Sequence, residues 1–492
     1  MNLSNRSQIS AVSLLLLLGI VVLAYLLSIS IVEKLKDIQL MIIIMVVFLG
    51  SIIFWKKAVI LTLYWLTVVG AVRKWLLPEL SEYLFFTPHA ILLGAYIRFL
   101  GDWIIGKYTP IIKQQAINIL LGDLVVYGIF NAFNPMHPDL RVGVLGVIVH
   151  FYFIPLMFIV PYVFETKEKF INFLKMYSLF SLPLLLLGVK QFFSPVHDPI
   201  NIYVTKTLDI ATTGRFPRVT STFSYISGYT TYLNFIALIM VYLLSIRKLT
   251  RISTLFISFL LPLSIVNLFM TGSRGPVGVT IIAIGLYLML VLSRTNTGYL
   301  RFLPRIILAI GIIFVIFINT EIGKSAYEGF MERATKREDI APRIVETFRP
   351  FKFIEQTGLI LTLVGYGIGS TYQGALKFVH DWGDMPRDFE EEPRRIVLEL
   401  GLIGYILVYS LRLLFLLLSW KIFKTLKDSD LKPLALCSFL YQVQFFHFFN
   451  LVFNHTANFY YWFLIGTLYL IIKFDREKTE SEATTGSYST PG

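Results

Sequence analysis

Apolar residues run in blocks of bilayer length along almost the whole chain, and this spacing constrains the fold more than any motif does. A bilayer core of about 30 Å needs about 17–25 apolar residues from each crossing helix. The blocks fall at 11–32, 38–55, 57–76, 84–105, 117–133, 140–164 and 170–193, then at 228–246, 252–270, 276–293, 303–319, 396–420, 431–453 and 456–473. They predict an all-α, polytopic membrane helix bundle with roughly fourteen transmembrane helices. Composition agrees: 56% of the 492 residues are hydrophobic and 15% are charged, where soluble domains run about 45–50% and about 25%. The first block is long, lacks a small-residue cleavage site and is followed by Glu33 and Lys34, so it reads as a retained span rather than a signal peptide.

The net charge of +13 does not mark a nucleic-acid binder. Lys and Arg flank the apolar runs instead of forming one basic face, which makes them topology signals. With the N-terminus in the cytoplasm, inside loops carry Lys56 and Lys57, Lys107 and Lys113, Lys167 and Lys169, then Arg247, Lys248 and Arg251. Arg294 and Arg301 follow, then Lys421, Lys424, Lys427 and Lys432, and finally Lys473 and Arg476. Opposite loops are poorer in cations, as the positive-inside rule expects. Both termini are therefore expected in the cytoplasm. Two long connections, 194–227 and 320–395, fall outside; the second carries 11 Lys/Arg and 13 Asp/Glu and reads as a large helical extracytoplasmic loop. Residues 1–476 form the membrane domain in this reading, and the Ser/Thr/Glu-rich 477–492 a disordered cytoplasmic tail. One cysteine, Cys437, lies in an apolar run as a small buried hydrophobe and forbids an intrachain disulfide.

Val364-Gly365-Tyr366-Gly367-Ile368-Gly369-Ser370 has the look of a dinucleotide loop but misses the sixth-position glycine, since Ser370 or Tyr372 stands there. A tight glycine turn is the expectation. There is no Walker motif, zinc signature or Gly-x-Ser-x-Gly elbow. The telling residues are arginines and a lysine on the outward side, against the charge trend: Arg73 and Lys74, Arg141, Arg215 and Arg218, Arg343 and Arg349, Arg394 and Arg395. Arg274 stands apart, pinned in the hairpin Thr271-Gly-Ser-Arg-Gly-Pro276 between two spans. Guanidinium forks match phosphate oxygens bidentately, so these residues predict a cradle for a lipid-linked diphosphate, against ordinary headgroup contact or pairing with loop carboxylates. Clustered carboxylates at Glu390, Glu391 and Glu392 repel one another and could make a general base near neutrality, or could pair with Arg394 and Arg395 at a helix N-terminus. Arg98 and Asp102, four apart on one span, read as a structural pair, with Asp123 at a similar depth. His447, Asn450, Asn454 and His455 cluster at the outer end of a late span and either line the site or bind neighbouring helices.

Ser273-Arg274-Gly275, the loop 320–395 and Glu399-Leu-Gly401-Leu-Ile-Gly404 follow one another in an order that resembles the O-antigen ligase/polymerase superfamily. Arg218-Val-Thr-Ser-Thr-Phe223 is similar to that family's arginine ahead of a Thr-Phe in the earlier outer loop. The resemblance covers about residues 200–420. It implies a bacterial inner-membrane glycosyltransferase acting on a polyprenyl-diphosphate-linked glycan at the periplasmic face. Arg218, Arg274 and Arg343 would hold the diphosphate, with Arg73, Lys74, Arg215, Arg394, Arg395 and His455 as further candidates. A carboxylate of Glu390, Glu391 or Glu392 would take the acceptor proton. No cofactor or metal is expected, guanidinium serving as the charge neutraliser. Partners would be the lipid-linked glycan, membrane lipid, and a chain-length regulator or flippase. The family's ligases carry a His-Asn pair eleven residues before the first glycine of Gly-x-x-Gly, where this chain has Glu390 and Glu391. That departure favours a Wzy-type repeat-unit polymerase for O-antigen or exopolysaccharide over a ligase. A lipid-linked-sugar flippase is the rival from another class; transporters show repeat symmetry and midplane broken helices, whereas charge here gathers on one face.

Overall fold

The computed structural model describes residues 36–109, 111, 114–136, 139–204, 210–246, 249–292, 358–379 and 391–486, with scattered positions between 311 and 352. They fall into two compact units, Met1–Thr109 and Pro110–Gly492. The first unit holds α1 (Lys36–Ile53), α2 (Trp55–Ala71) continued by a π-helical turn at Val72–Leu76, α3 (Ser81–Phe85) and α4 (Thr87–Ile104). Helices α1 and α4 cross closely at Gly94, where a Cβ would sit 2.5 Å from the Phe48 carbonyl oxygen. Asp102 pairs with Arg98 at 3.1 Å and with Lys107 at 3.3 Å, so the charge in this helix is neutralised locally.

The second unit contains α5 (Gln115–Asn131), α6 (Leu140–Phe151), α7 (Leu156–Val163), α8 (Lys167–Phe193), α9 (Ile226–Ser245), α10 (Arg251–Met270) and α11 (Arg274–Leu292). It continues with α12 (Leu359–Val364), α13 (Glu392–Thr425), α14 (Lys432–His447) and α15 (His455–Gly486). Strand structure among the described residues is one antiparallel ladder, β1 (Thr212–Thr213) with β2 (Phe216–Pro217). Helices α9 and α15 are the most enclosed, each 89% buried over its apolar window, while α11 is 28% buried. Lipid tails are as apolar as leucine, so packing and polar contacts must hold such helices together. Phe235 of α9 stacks on Tyr460 of α15 at 4.1 Å, and the Tyr460 and Tyr177 hydroxyls share a hydrogen bond of 2.7 Å.

Eight helices are long and apolar enough to cross a membrane, or nine when α6 and α7, bent by 40° at the break before Pro155, count as one. The chain is a multi-pass membrane protein. Of the other expected spans, Asp37–Ile53 and Gln115–Asn131 are shorter apolar helices and α14 has 16 residues. Expected span 11–32 and most of 303–319 lie outside the described residues. Helix α15 extends to Gly486, beyond Glu477, where the tail is expected to begin.

A polar knot holds that extension. Asp475 Oδ1 accepts the Lys427 and Asp428 amides, Lys478 lies 3.7 Å from Asp428, and Lys167 Nζ donates 2.7 Å bonds to Asp428 and a 2.9 Å bond to Asp430. Burial would raise the Asp428 carboxyl, but the Lys167 hydrogen bonds and charge outweigh it and leave it below the ordinary carboxylate value. Its folded value lies under its unfolded one, about 3.9. The stabilisation is therefore complete above that range and disappears as pH falls through the folded value. Thermal melts in nanodiscs from pH 6 to pH 3 should show a fall in midpoint that is shallower in Lys167→Met. An identical slope in both proteins would remove this role from the pair.

The sharpest feature is inside α13. Gly401 adopts φ 63°, ψ −166°, and the helix breaks there. The Glu392 and Arg412 side chains bond directly, although twenty residues of straight helix would separate them by about 30 Å. The arm before Gly401 therefore folds back along the arm after it, so the span expected over 396–420 is interrupted. Freed carbonyls find new donors: Leu398 O accepts Tyr366 N at 2.7 Å, Glu399 O accepts Gly367 N at 3.0 Å, and Leu400 O accepts the Tyr127 hydroxyl at 2.7 Å. The donors at 366 and 367 belong to the glycine turn, which is a backbone wedge. Its Gly365, Gly367 and Gly369 all have positive φ. Asn131 brackets it from α5, donating to Val364 O at 2.7 Å and accepting Ile368 N at 2.6 Å.

Candidate functional site

The segment after α8 brings Arg218 into place. Gly214 (φ 58°) opens a two-residue turn between β1 and β2, and Phe216 stacks on Phe192 at 4.5 Å. Arg218 N donates to Ala211 O at 2.8 Å and Val219 N to Met270 O at 3.4 Å, docking the hairpin on the turn that ends α10. Next comes a strained residue, Ser221 at φ 48°. Buried Gln191 holds it: Oε1 accepts Ser221 N at 2.6 Å and Thr220 N at 3.3 Å, while Nε2 donates to Ile200 O at 2.7 Å and Ser221 O at 3.2 Å.

Arg218 then spans the Thr271–Ser273 turn, with Nε donating to Thr271 O at 2.8 Å and Nη2 to Ser273 Oγ at 2.7 Å. Gly272 must be glycine, because φ is 64° and a Cβ would lie 2.0 Å from Thr213 Oγ1. Arg274 is the first residue of α11, directly after the serine that Arg218 holds. The turn therefore places two guanidinium-bearing residues at one helix N-terminus, where the helix dipole also favours an anion.

Beside them opens a cleft of about 230 Å³, walled by Arg218, Ser273 and Pro276, the first turns of α9, the end of α14 and the connection to α15. Its polar lining includes Ser227, Thr230, Thr231, Asn234, Asn450 and Asn454; Tyr225, Phe445 and Phe449 supply rings. Tyr203 packs edge-on against Tyr225 at 5.3 Å, and burial pushes its phenol up to about 12, so it stays neutral at pH 7.

The connection 448–454 is fixed from behind by Glu392. Its Oε1 bonds Arg412, and its Oε2 accepts the Leu451 amide and, at 2.8 Å, the Val452 amide. Arg412 also donates to Phe445 O at 3.1 Å and Phe446 O at 3.3 Å. Glu392 is 2% exposed. With its oxygens engaged by a guanidinium and two amides, Glu392 anchors the loop. Glu391 stands at the α13 N-cap, partly exposed, with no side-chain capping bond. Glu390 and Arg343 lie outside the described residues.

Arg395 lies flat on Phe453, 3.4 Å from the ring centre, and donates to Thr371 Oγ1 at 3.1 Å and Thr371 O at 2.8 Å. Thr371 in turn gives its amide and hydroxyl to Glu399 Oε1 at 2.8 and 2.6 Å. Glu399 Oε2 meets His150 Nε2 at 2.7 Å, both groups being buried. This chain ties the glycine wedge, α6 and α13 together and leaves Arg395 committed. Arg394 is half-buried near the start of α13. Arg215 is exposed at the hairpin turn, 5.1 Å over the Phe216 ring. His455 packs edge-on against Phe153 at 4.7 Å, and His447 bonds Thr347 O at 2.8 Å; neither lines the cleft, whereas Asn450 and Asn454 do. Arg73 and Lys74 belong to the first unit, where Arg73 Nε donates to Ser81 O at 2.8 Å and Lys74 Nζ sits 4.5 Å from the Trp75 ring centre.

His150 and Arg412 were not among the sequence candidates. The signal was present, since an ionisable residue deep in an apolar span needs a partner. Arg218 does meet the Thr271–Ser273 turn that leads into Arg274, while Glu392 turns to Arg412 and Glu391 takes the N-cap of α13. The molecule is thus a polytopic helical membrane protein with a cation-lipped polar cleft. Neither the protein-family models nor the curated proteins contain a match to the chain.

Proposed function

We propose that this protein is a glycosyltransferase of the bacterial inner membrane, which polymerises repeat units carried on a polyprenyl diphosphate at the periplasmic face. The observation that carries the reading is Arg218 clamped across the Thr271–Ser273 turn, one residue from Arg274, at the mouth of a polar cleft. A diphosphate has charge for several guanidinium groups, and the N-terminus of α11 adds its own positive end. In this reading the clamp stabilises the departing lipid diphosphate, the electrostatic contribution that usually dominates such catalysis. Loops 194–227 and 320–395 are placed outside by the charge rule, which puts the cleft at the end of the bundle facing the periplasm. Glu391, and Glu390 beside it in sequence, are the carboxylates proposed to take the acceptor proton. Transfer of finished glycan to another acceptor would use the same donor site, and the glutamate at position 390 favours polymerisation by the resemblance.

Arg218→Lys and Arg274→Lys keep the charge and lose the fork. In vesicles supplied with a polyprenyl-diphosphate oligosaccharide, each should bind donor about 10- to 100-fold more weakly and extend chains correspondingly less. Full-length polymer from both variants at normal rates would end the diphosphate assignment.

A further inference from the structure

The cleft has two chemically different ends, and the inner one has no role in holding a diphosphate. At the lip stand Arg218 and Ser273; at the floor stand Thr230, Thr231 and Asn234 of α9. All three floor residues are at least nine-tenths buried, at 5%, 6% and 2% exposure. The Thr230 and Thr231 hydroxyls spend their protons on Ser227 O, at 3.0 and 2.8 Å, so toward the cleft they present only lone pairs. Asn454 Nδ2 uses one of these, donating to Thr231 Oγ1 at 3.0 Å. Asn234 spends one side of its amide on Gln444, and its Oδ1 has no hydrogen-bond partner among the described residues. Turning both amides over would keep that bond and leave Asn234 Nδ2 over instead. A buried amide edge left unmade costs about as much as a lost hydrogen bond, so a polar group entering the floor would gain a bond there.

A bound group must satisfy lone pairs at two threonines and either edge of an amide. A hydroxyl does all of this, since it donates and accepts. The walls beside it are rings, Phe445 and Phe449, which suit the apolar face of a sugar ring. We infer that the floor of the cleft is a sugar subsite, in which Asn234 and Thr230 take hydroxyl groups of the first pyranose of the donor, the one bonded to the diphosphate. This rests on the diphosphate reading of the lip and extends it: the protein selects its donor by the first sugar as well as by the charge.

Binding of two probes to the full-length protein in nanodiscs tests this: polyprenyl diphosphate alone, and the same lipid carrying one hexose. Wild type should prefer the glycosylated lipid about tenfold. Asn234→Leu and the isosteric Thr230→Val should each lose most of that preference while binding the bare lipid as before. Equal wild-type affinity for the two lipids would overturn the subsite and leave the lip intact. No binding of either lipid would overturn the lip assignment, and the subsite with it. Thr230→Val guards against misfolding of Asn234→Leu: a well-folded Thr230→Val that keeps the full preference also overturns the inference.

Discussion

Glu392→Ala should cost the fold about 3–5 kcal/mol, because it strands Arg412 in the apolar core without its carboxylate. It also leaves the Leu451 and Val452 amides without their acceptor. The measurement is the midpoint of thermal unfolding in detergent or nanodiscs, with monodispersity after extraction as a second readout. Arg412→Met should fall by a similar amount, whereas the double variant Glu392→Met with Arg412→Met should recover part of the loss, since a matched apolar pair removes both charges. Neighbouring carboxylates should behave differently. On the proposed chemistry, Glu390→Gln or Glu391→Gln lowers chain extension by about 10²–10⁴ while the melting midpoint stays near wild type. A stable Glu392→Ala with slow turnover would reverse these assignments and make Glu392 the base.

Gly401→Ala is the second large effect. The residue sits at φ 63°, and a Cβ there would lie 2.3 Å from Leu363 O and 2.4 Å from its carbonyl carbon. Backbone cannot yield as a side-chain tip can, so strain and overpacking together should cost about 2–5 kcal/mol. Gly278→Ala is the matched control: it is a helical glycine with nothing within 4 Å of a new Cβ, and it should be neutral or slightly stabilising. Extraction yield and melting midpoint would separate the two. Equal behaviour of both variants would mean that α13 does not need its break.

The positions of the spans were legible because apolar runs report burial in lipid directly, and α8, α9, α10 and α11 begin within a few residues of the expected limits. Arg218 and Arg274 stood out for a related reason: on the expected topology they are cations on the outward side of the charge rule, and Arg218 bonds the turn that leads into α11. What could not be read was pairing across distance. Glu392 stands two residues from Arg394 in sequence, yet its partner is Arg412, brought back by a break that a glycine in an apolar run does not announce. Glu399 likewise meets His150, 249 residues away. The polar end of α15 carries no apolar pattern to read, and the contacts at its base, Asp475 and Lys478 with the 427–428 loop, are also made across distance.

The broken helix also says something about how such a chain is made. Synthesis runs from the N-terminus, so Tyr127, Asn131 and the glycine wedge are all translated before Gly401. The donors for the stranded carbonyls of Leu398, Glu399 and Leu400 thus exist before the break leaves the ribosome. A ribosome-bound chain ending just beyond Thr425 already contains every residue of that junction, whereas one ending before Leu359 lacks its wedge. Membrane insertion of α13 is in this sense a capping event, completed by parts of the chain already delivered.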